Sequence, residues 1–443
     1  MSPLQRATAR ETAGVVVDVL LPLVARGVIV RRPYVVNLLD RLDADSRAVR
    51  RLQALHARHG AGPLLLRLPW RELALVLSED DLWRVLDGTP DPFTAANFEK
   101  RRSLSQFEPH GVLVSSGAER GARRRFTESV LDSDHPVHGR LGEHIQATVI
   151  EEADALMSEA RRAGCLTWDV FAQGWWRLVR RLVLGDSARD DAHTTDLLAS
   201  LRRDANWSFL KSRRKSAREE FLRQVGQYVA RAEPGSLASL VAEFGGDDRR
   251  VCPVEQVPQW LFAFDAAGMA SFRTLALLDA HREVAAEVAR QISGSEHHEI
   301  DRLSLLRACV LESLRLWPTT PAILRDTTRA TSWYEGELPA GAAVLIFAPY
   351  FHRDDEKLPF ADAFSPELWT ADGAKDPWPF MPFSAGPARC PGRELVLFTT
   401  SQLLCRLITR VRLTQAGARP LAARGPLPRT LSPFRLRFQI DDH

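Results

Sequence analysis

The chain has 443 residues, enough to bury a sizeable core, and its 59 basic against 56 acidic residues leave a net charge of +3. That balance is too small to single out nucleic acid as a partner. Five widely spaced cysteines, Cys165, Cys252, Cys309, Cys390 and Cys405, form no CxxC pair, which argues against a zinc finger or a disulfide framework and points to a reducing, cytoplasmic setting. Only five of the basic residues are lysines, an arginine bias that fits a GC-rich bacterial coding genome. The most apolar N-terminal stretch, 14–30, is broken by Asp18, Pro22 and Arg26, so neither a transmembrane segment nor a signal peptide is expected there.

In chain order, 12–58 reads as helix with a turn at Gly27 and Arg32-Pro33, and two strand-like runs follow at 64–68 and 73–77. Ser78 caps a helix over 78–87, with Asp80 and Asp81 in its first turn. Residues 89–116 read as a long irregular binding loop carrying Phe93, Phe98, Phe107 and His110. A helix start at Glu119 concentrates Arg120, Arg123, Arg124 and Arg125, a grouping of guanidinium forks suited to paired anionic groups and equally to a solvated face. Trp168, Phe171, Trp175 and Trp176 recur at core spacing within a helical region, and 197–230 reads as an arginine-rich helix pair. His297-His298-Glu299 offers metal-ligating types, but adjacent residues do not share a helix face.

The longest helical stretch, 254–290, has Ala266-Ala267-Gly268 at its middle, where an ordinary core helix carries leucine. Such a patch leaves room for a flat group or for close helix packing. Glu312 and Arg315 stand three apart on the next helix, so their side chains meet on one face, an arrangement worth little when it lies at a surface. Trp317-Pro318 stops that helix, and an extended segment then presents Arg325. Near the C-terminus, Phe383-Ser-Ala-Gly386-Pro-Ala-Arg389-Cys390-Pro-Gly392 precedes the apolar run 395–408. Gly386 and Gly392 supply backbone freedom and two prolines remove it, so the loop is expected to hold one sulfur rigidly, with amide groups aimed at it. A thiolate held in this way suits an axial iron ligand, and a buried structural thiol is the alternative.

The order of these elements, a long helix with a small-residue patch, a Glu-x-x-Arg helix and a Phe-x-x-Gly-x-x-x-Cys-x-Gly loop, resembles the cytochrome P450 family of haem-thiolate monooxygenases, from about residue 63 to the end. The resemblance implies a mainly α fold with small β-sheets, one domain over 1–443 with the N-terminal helical segment 1–60 packed on it, and haem b between the long helix and the cysteine-loop helix. It makes Cys390 the iron ligand, Phe383 the aromatic beside the sulfur, and Gly386 and Gly392 the loop glycines. Arg120, Arg124 and Arg325 would hold the haem propionates, Ala267 and Gly268 would face the haem, and Glu312 with Arg315 would brace the loop. His352-Arg353-Asp354 and Phe364-Ser-Pro-Glu367-Leu-Trp369 resemble the meander before the cysteine loop.

There are three departures from the family pattern, at four positions. Ala270 and Ser271 stand where an acid and a threonine usually relay protons, which leaves Ser271, with Gly268, as the catalytic candidates and the proton source open; Asp265 is expected to face elsewhere. Leu368 replaces a meander arginine, which should weaken the brace. Ala388 replaces a commonly basic residue, with Arg389 next to it. The resemblance implies a monooxygenase that uses O2 and takes electrons from separate proteins, a ferredoxin and its reductase, docking on a basic face of Arg101, Arg102, Arg123, Arg125, Arg389 and Arg393. An apolar small-molecule substrate, such as a natural-product intermediate, would be lined by Phe98, Val112, Ala263, Ala266, Thr320, Ile323 and Pro433. A peroxide-driven or rearranging haem-thiolate enzyme, and a non-catalytic haem- or ligand-binding protein, are the alternatives.

Overall fold

The computed structural model describes residues 4–442 apart from 70, 136–138, 294–302, 335, 371–376 and 418. His297, His298 and Glu299 therefore lie outside the described residues. The fold is predominantly helical with small sheets, as expected.

Two apolar cores divide the molecule. One joins Gly142–Ala163, Trp168–Leu184, Val257–Ala280, Ser304–Leu316 and Arg393–Arg410, with Phe171, Leu261, Val310 and Phe398 almost fully buried among them. The other covers a five-stranded sheet, in which Leu64–Leu66, Leu73–Leu75, Ala343–Phe347, Ala322–Thr327 and Phe93–Thr94 lie side by side in that order. Leu73–Leu75 runs parallel to Ala343–Phe347, and the other pairings are antiparallel. Leu4, Val15, Val19 and Leu52 from the N-terminal segment pack into the core of this sheet. The chain also joins its edge: Ala7 N–H donates to Leu65 O, and Leu65 N–H donates to Gln5 O, both at 2.9 Å.

Local signals set several helix starts. Thr8 and Glu11 form a reciprocal capping box, and Ser78 Oγ accepts from Asp81 N–H at 3.2 Å. Within the predicted irregular loop 89–116 the structure instead has the short strand Phe93–Thr94 and a helix, Phe98–Leu104, whose cap is Asn97. The Glu-Lys-Arg-Arg run in that helix has no apolar period, so only the cap marked it. The stretch expected as one helix over 254–290 is two, Val257–Ala280 and Arg282–Ser293. His281 leaves helical geometry between them and its ring caps Leu277 O at 3.0 Å. The span Pro253–Ala280 is long and apolar enough to cross a membrane, but 78% of its apolar window is buried inside the fold.

Candidate active site

The cysteine loop is held from three directions. Cys390 N–H donates to Phe383 O at 2.9 Å, closing the loop on itself, and Ser133 Oγ donates to Pro391 O at 2.7 Å. Gly386 sits at φ +66°, and a Cβ there would lie 2.3 Å from Leu86 O, so the position admits only glycine. Gly392 does not share that need: its φ is −89°, ordinary for any residue, and a Cβ would meet Leu131 at 3.7 Å. What Gly392 contributes is its N–H, which bonds to the Cys390 sulfur. Burial raises the thiol pKa; that N–H and the positive charges of Arg124, Arg389 and Arg393 oppose the rise.

Behind the loop the Glu312–Arg315 pair is no surface ion pair: both side chains are completely buried. Arg315 binds Glu312 with two parallel bonds of 2.6 and 2.8 Å and sends its remaining N–H groups to the carbonyls of His352, Ala361 and Ala363 at 2.8–3.0 Å. The arginine missing at 368 does not leave Glu312 short of donors. Ser365 N–H at 2.8 Å and the Trp369 indole N–H at 2.9 Å complete its set. The brace is therefore intact, with Trp369 supplying a donor that the sequence pattern assigned to an arginine. His352 extends it toward the loop by accepting Met381 N–H at 2.9 Å, two residues before Phe383. Burial, then the Arg315 charge, pushes the His352 pKa down to about 3, so the ring is neutral and its Nδ1–H donates to Arg315 O at 3.2 Å.

A set of cations gathers at another place. Arg325 is buried, bonded among the described residues to Thr89 Oγ1 at 3.2 Å and Leu324 O at 3.0 Å, and burial together with Arg120 lowers its pKa to about 10. Lys100, on the helix that Asn97 caps, is brought down to about 7 by burial and by Arg325, and among the described residues its ammonium group donates to Ala95 O at 3.2 Å. Among the described residues Lys100, Arg120 and Arg325 have no acid within salt-bridge distance, and only Arg124 does, to Glu128 at 2.6 Å. Enclosed cations without acids fit an anionic ligand. Sequence reading passed over Lys100; its signal was being the one lysine before Lys211 in an arginine-biased chain.

The long helix departs from expectation at Gly268. A Cβ there would lie 2.8 Å from Trp175 Nε1, whose N–H donates to Phe264 O at 2.9 Å. A side chain at Gly268 would run into this indole, so close packing accounts for the small residue there. Ala267 is buried, and Ser271 is fully buried with its hydroxyl donating to Ala267 O at 3.0 Å. Asp265 is bound to Arg202 at 2.5 Å, in keeping with its facing elsewhere. Sequence reading also missed Glu108, completely buried, with a pKa that burial raises well above the usual range. With its amide turned to donate, Gln259 reaches both Glu108 oxygens at 2.6 and 2.9 Å. Gln259 lies twelve residues before Ser271, about 18 Å along the helix, so Glu108 does not replace the missing acid.

Of the expected lining residues, Ala263 and Ala266 are partly open on the long helix, Thr320 is exposed beside buried Ile323, and Val112 and Pro433 are buried. Phe98 is 51% exposed and its ring packs on Phe209. The expected docking face loses two members. Arg123 is buried, bonded to Ser115 Oγ and Arg250 O, and Arg393 is half-buried against Glu394, whereas Arg101, Arg102, Arg125 and Arg389 are exposed.

Residues 276–427 match the family model described as "Cytochrome P450". Solved structures share the whole architecture: a cytochrome P450, CYP102L1, matches at TM-score 0.71 and 17% identity over 89% of this chain and 94% of its own. A cyanobacterial CYP120A1 with retinoic acid bound matches at TM-score 0.70 and 15% identity, over 88% and 94%. The chain thus has the cytochrome P450 fold, and its residues 276–427 carry the match to that family. Its curated relatives align over shorter stretches. Cyclooctat-9-en-7-ol 5-monooxygenase of Streptomyces melanosporofaciens is 30% identical over 172 residues, 35% of this chain and 38% of the relative. Cytochrome P450 monooxygenase FCK2 of Fusarium pseudograminearum is 38% identical over 130 residues, 26% and 24% respectively. The chain thus spans between a quarter and two fifths of these relatives.

The residues present fit the haem that cytochrome P450s bind. The donor set pairs one cysteine, its sulfur met by a backbone N–H, with enclosed cations lacking acids, and a haem carries an iron for the first and two carboxylates for the second. Cys390 would ligate the iron, and Arg120, Arg124, Arg325 and Lys100 would hold the carboxylates.

Proposed function

We propose that this chain is a haem b-dependent monooxygenase that places one oxygen atom of O2 into an apolar small molecule, with electrons from a ferredoxin and its reductase, in the cytoplasm of a bacterium. One domain over the whole chain would carry the activity. The observation that carries this reading is the Cys390 loop, with Gly392 N–H at the sulfur and the completely buried Glu312–Arg315 brace behind it. When bound, haem supplies O2 activation: two electrons and two protons are taken up, one oxygen goes to the substrate and the other to water. The chain's own part is to hold the sulfur in place, with the Gly392 N–H and nearby arginines offsetting part of the burial that favours the thiol, and to orient the substrate along Ala263 and Ala266. The Streptomyces relative, named for acting on cyclooctat-9-en-7-ol, supports a natural-product substrate.

Ala270 and the Ser271 hydroxyl, already committed to Ala267 O, favour a second reading in which peroxide replaces O2 and reductase. Turnover with redox partners and with hydrogen peroxide separates the two, and peroxide-only turnover would overturn the first. The foundation is tested by the spectrum of the reduced, carbon monoxide-bound holoprotein. Thiolate ligation gives a strongly red-shifted Soret band that Cys390→Ser abolishes; an unshifted band in the natural protein, or the shifted band surviving the substitution, refutes the assignment.

A further inference from the structure

A cavity of about 40 Å³ lies between the N-terminal segment, the long helix and the turn at Pro433, and its polar wall is arginine. Three guanidinium groups, Arg26, Arg31 and Arg273, meet one carboxylate, Asp45, so the lining carries three positive charges against one negative. Asp45 is already taken: Arg26 grips it with bonds of 2.6 and 3.3 Å, and Thr430 Oγ1 accepts its backbone N–H. Arg273 donates only to carbonyls, twice to Leu431 O at 2.6 and 3.1 Å and once to Trp317 O at 3.1 Å. Arg31 donates to Gly27 O and, at 2.5 Å, to Thr319 O. Among the described residues neither has an acid within salt-bridge distance.

Carbonyl oxygens orient a guanidinium but do not neutralise it, and an enclosed charge without a counter-charge is costly. Burial and mutual repulsion accordingly bring Arg31 down to about 10 and Arg273 to about 9. Planar two-oxygen anions match guanidinium forks, and the volume admits a carboxylate group but not the body of a substrate. Thr319, Pro321 and Pro433 form part of the wall, adjoining or among the expected substrate-lining positions Thr320, Ile323 and Pro433.

We propose that this cavity is a carboxylate-binding site, taking either the acid terminus of an otherwise apolar substrate or a free small carboxylate. The site itself stands on the arginines alone; the substrate terminus rests on the monooxygenase reading.

The test is calorimetric titration of the holoprotein with acetate, hexanoate and dodecanoate and with the primary alcohol of each length. At one length or more the acid should bind at least tenfold tighter than its alcohol. Arg31→Gln and Arg273→Gln should each erase that preference while leaving alcohol binding unchanged. Tightest binding of acetate assigns the site to a free carboxylate; tightest binding of dodecanoate, with a shift of the Soret band, assigns it to the substrate. No acid preference at any length, or a preference that survives both substitutions, overturns the proposal. If Arg273→Gln does not fold, Arg31→Gln decides alone. Acid preference in a chain without the red-shifted carbon monoxide band would keep the anion site and remove the monooxygenase reading.

Discussion

On the cysteine side, Glu312, Arg315, His352 and Arg353 are fully buried polar groups, each with hydrogen-bond partners in the fold around them: the carboxylate takes four donors, and Arg353 holds Leu316 O and Leu427 O at 2.9 Å. On the long-helix side the corresponding stretch is nearly bare. Ala267 and Ala270 offer no polar side chain, Ser271 bonds its own helix, and Gly268 yields to Trp175. A satisfied polar network backs the cysteine loop on the first side, whereas the second is shaped by packing. The difference teaches that the cysteine loop and the facing stretch of the long helix are set by different forces, hydrogen bonding on one side and packing on the other.

Breaking the network should have the largest effect. Arg315→Met leaves the Glu312 carboxylate buried without its cation, at a cost of about 3–5 kcal/mol in denaturant unfolding. A loss under about 1 kcal/mol would reduce the brace to the level of an exposed pair. On the long helix, Gly268→Ala should cost about 1–3 kcal/mol through overpacking against Trp175. Trp175→Phe in the same chain should recover part of that cost, and strict additivity of the two would sever the proposed link.

The smallest effect is a pH slope. The folded-state pKa of His352, about 3, lies below its unfolded value near 6.5, so the unfolded chain binds the extra proton between those limits. Its contribution is full above pH 6.5 and is lost as pH falls toward 3, by at most about 1.4 kcal/mol per unit. Unfolding measured from pH 6.5 to 5 should show this slope, and His352→Gln should flatten it; an equal slope in both would place the proton elsewhere.

The parts of the site legible in the sequence are those whose meaning depends on short spacing. Cys390 with Gly386, Glu312 with Arg315, and the Ser78 cap are local patterns, and the structure has Gly386 at positive φ, the ion pair formed and the cap made. What escaped depends on residues that are neighbours only in the folded chain. Trp369 reaching Glu312 and Trp175 filling the place of a Gly268 side chain leave no trace in spacing. Nor do Arg31 and Arg273, 242 residues apart, facing one cavity. Gly392 was misread for a different reason: its backbone angles are ordinary, and what it brings to the sulfur is an N–H that any residue but proline would supply.

The five-stranded sheet carries a consequence for how the molecule is made. Leu73–Leu75 emerges from the ribosome early, yet its parallel neighbour Ala343–Phe347 lies about 270 residues later. At a synthesis rate of roughly 5–20 residues per second, the first two strands wait on the order of 15–50 s with one edge open. During that interval Leu4, Val15 and Leu52 from the N-terminal segment are the apolar groups already available to cover the pair. The segment that precedes the sheet is thus placed to shield it from other nascent chains until its own partner arrives.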